Sequence, residues 1–390
     1  MQRIYTGIDI GTYHVKVVIA AAAAENPELP LTILGTGTSA SRGLRHGYII
    51  DAKEATKSVR EALGRAAIAA KVKVRGARVA LGGIGLDEIR SSAEVSLTQS
   101  GGIVTEREIE RALRESEKRA SPKLTNRTII HCVPLEYRVD GTKVFGKPAG
   151  LQGTKLAVDT LLITMLSQHQ DDLIDAVEAA GVEVEGVMAS PLAASLVTLT
   201  KAQKTAGVVL ANIGAETLSL VIFEDDTPIS LKIFPTGSSE ITESIALSFK
   251  IPLSEAETLK RGGVTGSDIP ERKMSVIVGT QLKEMYTLVN AHLKSIGRHR
   301  LLPAGIVITG GGSGLTSASE IARAVLQLPS QVSQIGQLPR SSGVDATWAV
   351  AYGLCRWAYA EDTSGGSYSL GGIIRDAWES LKQGLRSLLP

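Results

Sequence analysis

The sequence lacks the features of several common protein classes. It has only two cysteines, Cys132 and Cys355, each within an apolar stretch, so it predicts no disulfide framework and fits a reducing compartment. The six histidines are scattered without metal-ligand spacing. A net charge of +2 gives no electrostatic reason to bind nucleic acid. No apolar run is long enough to cross a bilayer, so any association with a membrane must be peripheral.

One apolar segment, Val17 to Ala24, follows several basic residues and loosely imitates a signal peptide. Asp9 interrupts that pattern. The isoleucines and valines on either side of Gly11 are more typical of two strands joined by a turn. We therefore expect a cytoplasmic protein.

The sequence contains one pattern of elements twice. The first copy has strands at Ile4 to Ile10, Val15 to Ala22 and Leu31 to Gly37, then a helix from Asp51 to Ala70 with Asp51 as its N-cap. The second copy has strands at Val208 to Ala211, Leu218 to Phe223 and Ile229 to Phe234, then a helix capped by Ser238 or Ser239 and ending at Ser248. A glycine turn follows the first strand of each copy. The repeat predicts two similar lobes, with a coincidence among common hairpins as the alternative.

Further segments interrupt and extend this repeat. Residues 86–162 combine strands with a charged helix and predict an inserted α+β subdomain, while 251–303 predict a helical addition to the second lobe. The expected division is 1–85 and 163–200 for the first lobe, 86–162 for the insertion, 201–250 and 304–360 for the second lobe, 251–303 for the helical subdomain, 361–372 for a flexible linker and 373–390 for a terminal amphipathic helix.

Three glycine turns have a composition that suits a nucleotide. They are Asp9-Ile10-Gly11-Thr12, Asn212-Ile213-Gly214-Ala215-Glu216-Thr217 and Gly310-Gly311-Gly312. Small residues let backbone N–H groups approach phosphate oxygens, and Asp9 can accept hydrogen bonds from water bound to Mg²⁺. Lys16, on the strand after the first turn, can add a positive charge. A single such turn is most often just a hairpin, but three in a duplicated framework favour nucleotide binding. There is no Walker motif.

These motifs resemble the actin, sugar-kinase and Hsp70 superfamily and, within it, the FtsA family of bacterial cell-division proteins. The first turn with Lys16 matches the family's first phosphate loop, and the glycines after Ile306-Val307-Ile308-Thr309 match its adenosine motif. Ala256-Glu257-Thr258-Leu259-Lys260 resembles the helix that contacts the nucleoside. Ser41-Arg42-Gly43 and the pattern His131, Pro134, Tyr137, Val139, Asp140, Gly141 resemble further family segments. The resemblance implies a two-lobed α/β actin-like (ribonuclease-H-like) fold with the family's 1C (SHS2) insertion.

The resemblance also implies ATP and Mg²⁺ as ligands. The expected nucleotide contacts are Asp9, Gly11, Thr12, Tyr13, Lys16, Gly214, Ala215, Thr217, Glu257, Lys260, Gly310, Gly311 and Gly312, with Asp9 holding Mg²⁺ through water. The second loop departs from the family pattern, which begins with Asp and continues Gly-Gly-Gly-Thr. Neutral Asn212 cannot act as a base, and Glu216 adds a negative charge near phosphate unless it points away. We therefore expect ATP binding with slow hydrolysis or none, and assign no catalytic residue.

The terminal segment predicts a membrane contact. Apolar residues recur at helical spacing while Lys382 and Arg386 fall on the opposite face, and FtsA proteins end in a membrane-targeting helix. The expected membrane residues are Ile373, Ile374, Trp378, Leu381, Leu385 and Leu388. A helix packed on the protein body is the alternative.

The family resemblance implies as protein partners the protein itself, in a filament, and the C-terminal peptide of the tubulin-like FtsZ, with other division proteins as further candidates. Lys283, Lys294 and Arg298 are the residues expected to attract that acidic peptide, although the family's Pro-Arg is replaced here by Thr280-Gln281. The expected role is anchoring the division ring at the cytoplasmic face of an anionic membrane. A PilM-like adaptor of pilus assembly is the alternative, and a small-molecule kinase lacks a convincing catalytic Asp.

Overall fold

The computed structural model describes residues 3–22, 31–97, 101–265, 269–335, 344–364 and 375–376. Two lobes are each built on a five-stranded sheet, and a third sheet, also of five strands, is centred on an inserted subdomain. The first lobe contains β1 (Ile4–Ile10), β2 (His14–Ala21), β3 (Thr32–Ala40), the short hairpin β4 (Leu44–Arg45) and β5 (Tyr48–Ile49), α1 (Ala52–Ala70), β6 (Gly76–Leu81), α3 (Ser167–Glu178), β11 (Glu183–Ala189), α4 (Ser190–Thr198) and α10 (Ala349–Ser364).

The second lobe repeats the topology of the first. It contains α5 (Lys201–Ala206), β12 (Val208–Ile213), β13 (Leu218–Glu224), β14 (Thr227–Phe234), α6 (Ser238–Phe249), β15 (Ile306–Thr309), α9 (Ala318–Leu326) and β16 (Ser330–Val332), while α7 (Leu253–Lys260) and α8 (Glu271–Ser295) form a helical addition. The sheet orders are β3-β2-β1-β6-β11 and β14-β13-β12-β15-β16. In both, the first strand pairs antiparallel with the second and parallel with the fourth. The predicted two-lobed α/β fold is confirmed.

The residues of the first lobe explain how its long helix packs. Asp51 caps α1 as predicted, because its carboxylate accepts hydrogen bonds from the backbone N–H groups of Lys53 and Glu54. The helix then lies very close to β3. A Cβ atom on Gly37 would stand 2.0 Å from the carbonyl oxygen of Ala62, so only glycine allows this approach. By contrast, α6 begins after Gly237 and has no side-chain cap, so the predicted serine cap is wrong.

The inserted subdomain leaves the first lobe between β6 and α3. It contains β7 (Asp87–Ser96), α2 (Glu106–Ala120), β8 (Arg127–Val139), β9 (Thr142–Val144) and β10 (Lys155–Leu166), and its helix and strands bury a core of their own. The buried Nε2 of His131 on β8 accepts a hydrogen bond from the backbone N–H of Ala189 on β11 at 3.1 Å. This contact joins the insertion to the first lobe.

The C-terminal predictions need correction where the structure describes them. α10 extends to Ser364, so residues 361–364 are helical rather than linker. Glu361 pairs with Arg78 at 2.9 Å and Asp362 with Arg3 at 3.1 Å. Arg375–Asp376 form a short strand, β17, that pairs with Cys132 and His131 of β8, so the predicted helix is wrong at these two residues. The rest of the proposed amphipathic helix lies outside the described residues.

Candidate functional site

A cleft of about 520 Å³ lies between the two lobes. Its walls come from the loops that follow the first strand of each lobe, from α7, and from the turn after β15. Eleven of the residues expected to contact nucleotide line it: Asp9, Gly11, Thr12, Tyr13, Lys16, Gly214, Ala215, Thr217, Glu257, Lys260 and Gly311. Residues from widely separated parts of the sequence therefore converge on one cavity.

Asp9 and Lys16 form the charged part of the first loop. They face each other in register on β1 and β2. Burial raises the pKa of Asp9 to about 6, although the nearby Lys16 ammonium opposes the shift. Burial also lowers the pKa of Lys16, while Asp9 and Asp345 favour its charged form. The Lys16 Nζ donates to the Thr347 carbonyl at 2.5 Å, so the ammonium is held within the cleft.

Hydrogen bonds to His14 and Ser41 fix the backbone of the first loop at Gly11. The Gly11 N–H donates to the His14 carbonyl at 3.2 Å, and the Ser41 hydroxyl donates to the Gly11 carbonyl at 2.6 Å. Tyr13 stands at the cleft mouth, where the Arg261 guanidinium lies 4.9 Å from its ring centroid. This contact joins the first lobe to α7 and its following turn, and it narrows the entrance.

The second loop is held in place by the N-terminus of α6. The Gly214 N–H donates to the Thr217 carbonyl at 2.8 Å. The first N–H groups of α6, from Ser238 and Ser239, donate to the carbonyls of Gly214 and Ala215 at 2.9 and 2.8 Å. These contacts fix the loop against the N-terminus of a helix, an end of the helix that favours negative charge.

Glu216, the acidic residue of the second loop, does not line the cleft. Its Oε2 accepts a hydrogen bond from the backbone N–H of His46 at 2.5 Å. Its own carbonyl lies 3.2 Å from the His46 Nδ1. The side chain thus points away from the cavity and toward the other lobe, which removes the expected conflict with phosphate.

Glu257 and Lys260 form an ion pair on one face of α7, at 2.6 Å between Oε2 and Nζ. Lys260 also donates to the Ser238 carbonyl and the Thr242 hydroxyl, and Thr242 donates to Glu257. Burial alone would raise the pKa of Glu257, but the hydrogen bonds from Lys260, Thr242 and Arg261 together lower it. Burial lowers the pKa of Lys260, against the opposing effect of Glu257.

The third glycine turn contributes one lining residue of the three expected. Gly311 faces the cavity, whereas Gly310 and Gly312 do not line it. Gly310 has φ 84°, and a Cβ there would stand 2.1 Å from the Asn212 Oδ1. A Cβ on Gly312 would stand 2.3 Å from the Ile213 side chain. These two glycines let the turn pack against β12.

The sequence interpretation missed the segment that closes the cleft beside Lys16. Asp345 and Thr347 line the cavity just before α10. The Asp345 Oδ1 accepts hydrogen bonds from the Thr347 backbone N–H at 2.9 Å and from its hydroxyl at 2.6 Å. The signal was available, because Asp-x-Thr before an apolar helical run is typical of an N-cap. Ser190, at the start of α4, was missed as well.

The residues proposed for a peptide partner lie away from the cleft, on and just after α8. Lys283 and Lys294 are exposed. Arg298 instead pairs with Glu224 at 2.6 Å, so its charge is already neutralised within the chain.

Two features are absent from the part of the chain that the structure describes. Within the ranges given above, there is no cluster of three or more His, Cys, Asp or Glu side chains placed to hold a metal ion. Among the helices of those ranges, none has both the length and the apolar character needed to cross a membrane.

Comparison with protein families gave two matches. Residues 209–353 match the model described as cell division protein FtsA, and residues 83–164 match the model described as the SHS2 domain inserted in FtsA. Together these matches cover more than half of the chain. The second coincides with the inserted subdomain.

One curated relative carries the same family name, and two solved structures share the fold. The cell division protein FtsA of Borreliella burgdorferi is 26% identical over 353 residues, covering 85% of this chain and 84% of that protein. Among solved structures, the PilM–PilN type IV pilus biogenesis complex has a TM-score of 0.69 at 19% identity, covering 91% of this chain and 98% of that one. MreB5 of Spiroplasma citri bound to AMPPNP has a TM-score of 0.55 at 12% identity, covering 93% and 97%. These structures show the actin-like fold.

Proposed function

Because the chain belongs to the FtsA family of bacterial cell-division proteins, we propose that it binds ATP, assembles on the cytoplasmic face of the cell membrane and tethers the FtsZ ring. The observation that carries the nucleotide part is the convergence of both lobes on one cavity. The first loop, the second loop and Lys16 all line it.

The cleft has the size and chemistry that a nucleotide needs. Its volume of about 520 Å³ is within the usual range of small-molecule sites. Lys16 supplies a cation for phosphate, and Gly214 and Thr217 supply a tied loop beside it. Glu257 and Lys260 are the proposed nucleoside contacts. A structural relative, MreB5, is described as bound to AMPPNP.

The donor set also fits Mg²⁺ held mainly through water. Asp9 and Asp345 both line the cleft, and both lie close enough to Lys16 to influence its charge. Mg²⁺ usually keeps several waters and uses one or two carboxylates together with phosphate oxygens. When bound with ATP, the ion would offset negative charge on the phosphates, while Asp9 orients its water.

Membrane attachment rests on the sequence of residues 377–390, which follow the short strand β17. Trp378 suits the headgroup boundary, and Lys382 and Arg386 suit anionic lipid. A single short helix binds reversibly, so assembly into a filament would strengthen attachment by presenting many helices at once.

The partner surface is proposed on α8. Lys283 and Lys294 are exposed and positively charged, which suits an acidic peptide such as the FtsZ C-terminus. Arg298 is a weaker candidate, because binding a peptide there would require it to leave Glu224.

The decisive experiment is fluorescence-anisotropy titration of the FtsZ C-terminal peptide from the same genome, with ATP and Mg²⁺ present. We expect saturable binding that Lys283→Glu weakens at least threefold, while Lys118→Glu on the inserted subdomain leaves it unchanged. Absence of binding at high micromolar protein would overturn the tethering role. The PilM-like adaptor would then be the better hypothesis, since PilM shares the fold.

A further inference from the structure

The segment that connects the first lobe to the inserted subdomain, residues 83–90, packs against the β4–β5 turn. We call residues 83–90 the insertion root. The Ile84 N–H donates to the His46 carbonyl at 3.2 Å. A Cβ on Gly47 would stand 2.4 Å from the Gly83 Cα, so the two backbones are in direct contact. The turn and the root therefore have to move together.

The second lobe holds this turn from across the cleft. Glu216 accepts a hydrogen bond from the His46 N–H at 2.5 Å, as described above. His46 itself has φ 49°, so this residue of the turn is in the left-handed backbone conformation. Through His46, the second loop is connected to the insertion root.

The second lobe holds the far end of the root as well. Glu88 accepts a hydrogen bond from the Ser230 hydroxyl at 3.0 Å and from the Leu231 N–H at 2.5 Å. Arg90 donates to the Ile229 carbonyl at 2.8 Å. Ser230 is fully buried, so its contact with Glu88 is shielded from water. The edge strand β14 is thus bonded to β7 through side chains.

The same contact reaches the helical addition. The Ser230 Oγ lies 2.9 Å from the His292 Nε2 on α8. A serine hydroxyl has one proton, and here it is donated to the Glu88 carboxylate, so His292 must donate from Nε2 to Ser230. One hydrogen-bonded chain therefore joins the insertion, the second lobe and α8.

We propose that the second lobe, rather than the first lobe alone, sets the orientation of the inserted subdomain through Glu216–His46 and Glu88–Ser230. Any movement of the second lobe relative to the first acts on both ends of the insertion root. Cleft closure and the orientation of the insertion are then coupled. If nucleotide changes the affinity of the insertion for a partner by some factor, that partner changes the affinity for nucleotide by the same factor. The inferred contacts do not depend on membrane or FtsZ binding.

The test is a distance measurement by pulsed electron paramagnetic resonance on the full chain. Spin labels at Lys118→Cys in α2 and Ser248→Cys at the end of α6 report the insertion against the second lobe, and both positions are exposed. The native Cys132 and Cys355 are buried, so labelling is selective. We expect a narrow distance distribution without nucleotide. The double variant Glu88→Ala, Glu216→Gly should at least double its width.

Two further variants make the result interpretable. Glu94 lies on the same strand as Glu88, but its carboxylate pairs with Lys155 inside the insertion. Glu94→Ala should therefore leave the width of the distance distribution unchanged. Glu88→Gln keeps the side-chain size and should broaden the distance distribution less than the double variant does. It keeps the test usable if the double variant folds poorly. Equal widths for the wild type, Glu88→Gln and the double variant would overturn the proposal. Nucleotide binding, measured separately with a fluorescent ATP analogue, distinguishes that result from a failure of the proposed nucleotide function.

Discussion

Lys260 reaches Glu257 across one turn of α7, and only 6% of its side chain is exposed. We expect Lys260→Met to lower the free energy of unfolding by about 1–3 kcal/mol, because Glu257 would keep its burial and lose its closest cation. Urea denaturation without nucleotide measures this. Arg261→Met is the matched control, since Arg261 also pairs with Glu257 but is 56% exposed. Its cost should stay below about 1 kcal/mol. Equal losses for the two variants would contradict the role of burial.

The raised pKa of Asp9 predicts an acid-dependent loss of nucleotide affinity. The pKa of Asp9 in the free protein is about 6, so its carboxyl group is mostly protonated at a pH below that value. The neutral acid attracts Mg²⁺-bound water less strongly. Affinity for Mg-ATP should therefore be constant above pH 7 and fall by up to about tenfold per unit below pH 6. Titrating a fluorescent ATP analogue between pH 5.5 and 8 tests this. Asp9→Asn should bind weakly with no change across that window, and a pH dependence that survives in it would exclude Asp9 as the cause.

Gly310 should resist substitution for steric reasons. Its φ of 84° and ψ of −177° are strained for other residues, and a Cβ would meet the Asn212 side chain. We expect Gly310→Ala to cost about 1–3 kcal/mol in unfolding free energy. Gly314→Ala, in the same turn, has nothing within 4 Å of the added carbon and should cost little. Thermal unfolding of both variants compares them, and a silent Gly310→Ala would show that β15 and its turn can shift.

His131 predicts a loss of stability in acid. Burial lowers its pKa to about 3, so the folded protein keeps it neutral while the unfolded chain takes up a proton below about pH 6.5. The contribution of His131 to the free energy of unfolding is therefore complete above pH 6.5. It is lost as the pH falls and is lower by about 2 kcal/mol at pH 5. Urea unfolding at pH 7.5 and 5.0 measures the difference. His131→Gln should show a correspondingly smaller loss between the two pH values, and an identical loss would assign the effect to other groups.

The terminal segment predicts a single-residue effect on membrane attachment. Trp378→Glu places a charge on the face that the sequence predicts to be apolar and should reduce co-sedimentation with anionic vesicles at least tenfold. Glu379→Gln, on the face predicted to be polar, should leave co-sedimentation intact. Unchanged pelleting of Trp378→Glu would refute the proposed anchor, and loss in both variants would indicate a general effect of the tail.

Local signals predicted the framework well. Asp51 before an apolar helical pattern located α1, and repeated β-branched strands with glycine turns located both sheets. The antiparallel pairs β1–β2, β12–β13 and β13–β14 follow from their short connections, whereas the parallel pairs β1–β6 and β12–β15 join strands far apart in the sequence. The first loop and Lys16 were placed in one cavity because their spacing on a hairpin fixes their distance.

Long-range contacts account for what the sequence did not reveal. Residues 361–364 looked like linker, yet Glu361 and Asp362 are held by Arg78 and Arg3, far away in the chain. The direction of Glu216 depends on a backbone N–H in the other lobe, which no local pattern shows. The sequence suggested that Arg298 is available to a partner, but its guanidinium pairs with Glu224, which is distant in the chain.

The side chains that bind β14 also affect how this protein meets other chains. β14 is an edge strand, and unpaired N–H and C=O groups on such an edge can recruit a strand from another molecule. Here Glu88 occupies the Leu231 N–H and Arg90 occupies the Ile229 carbonyl. The insertion thus shields this edge from uncontrolled sheet extension. A strand from another molecule would have to displace Arg90 and Glu88 before it could pair with β14 at Ile229 and Leu231.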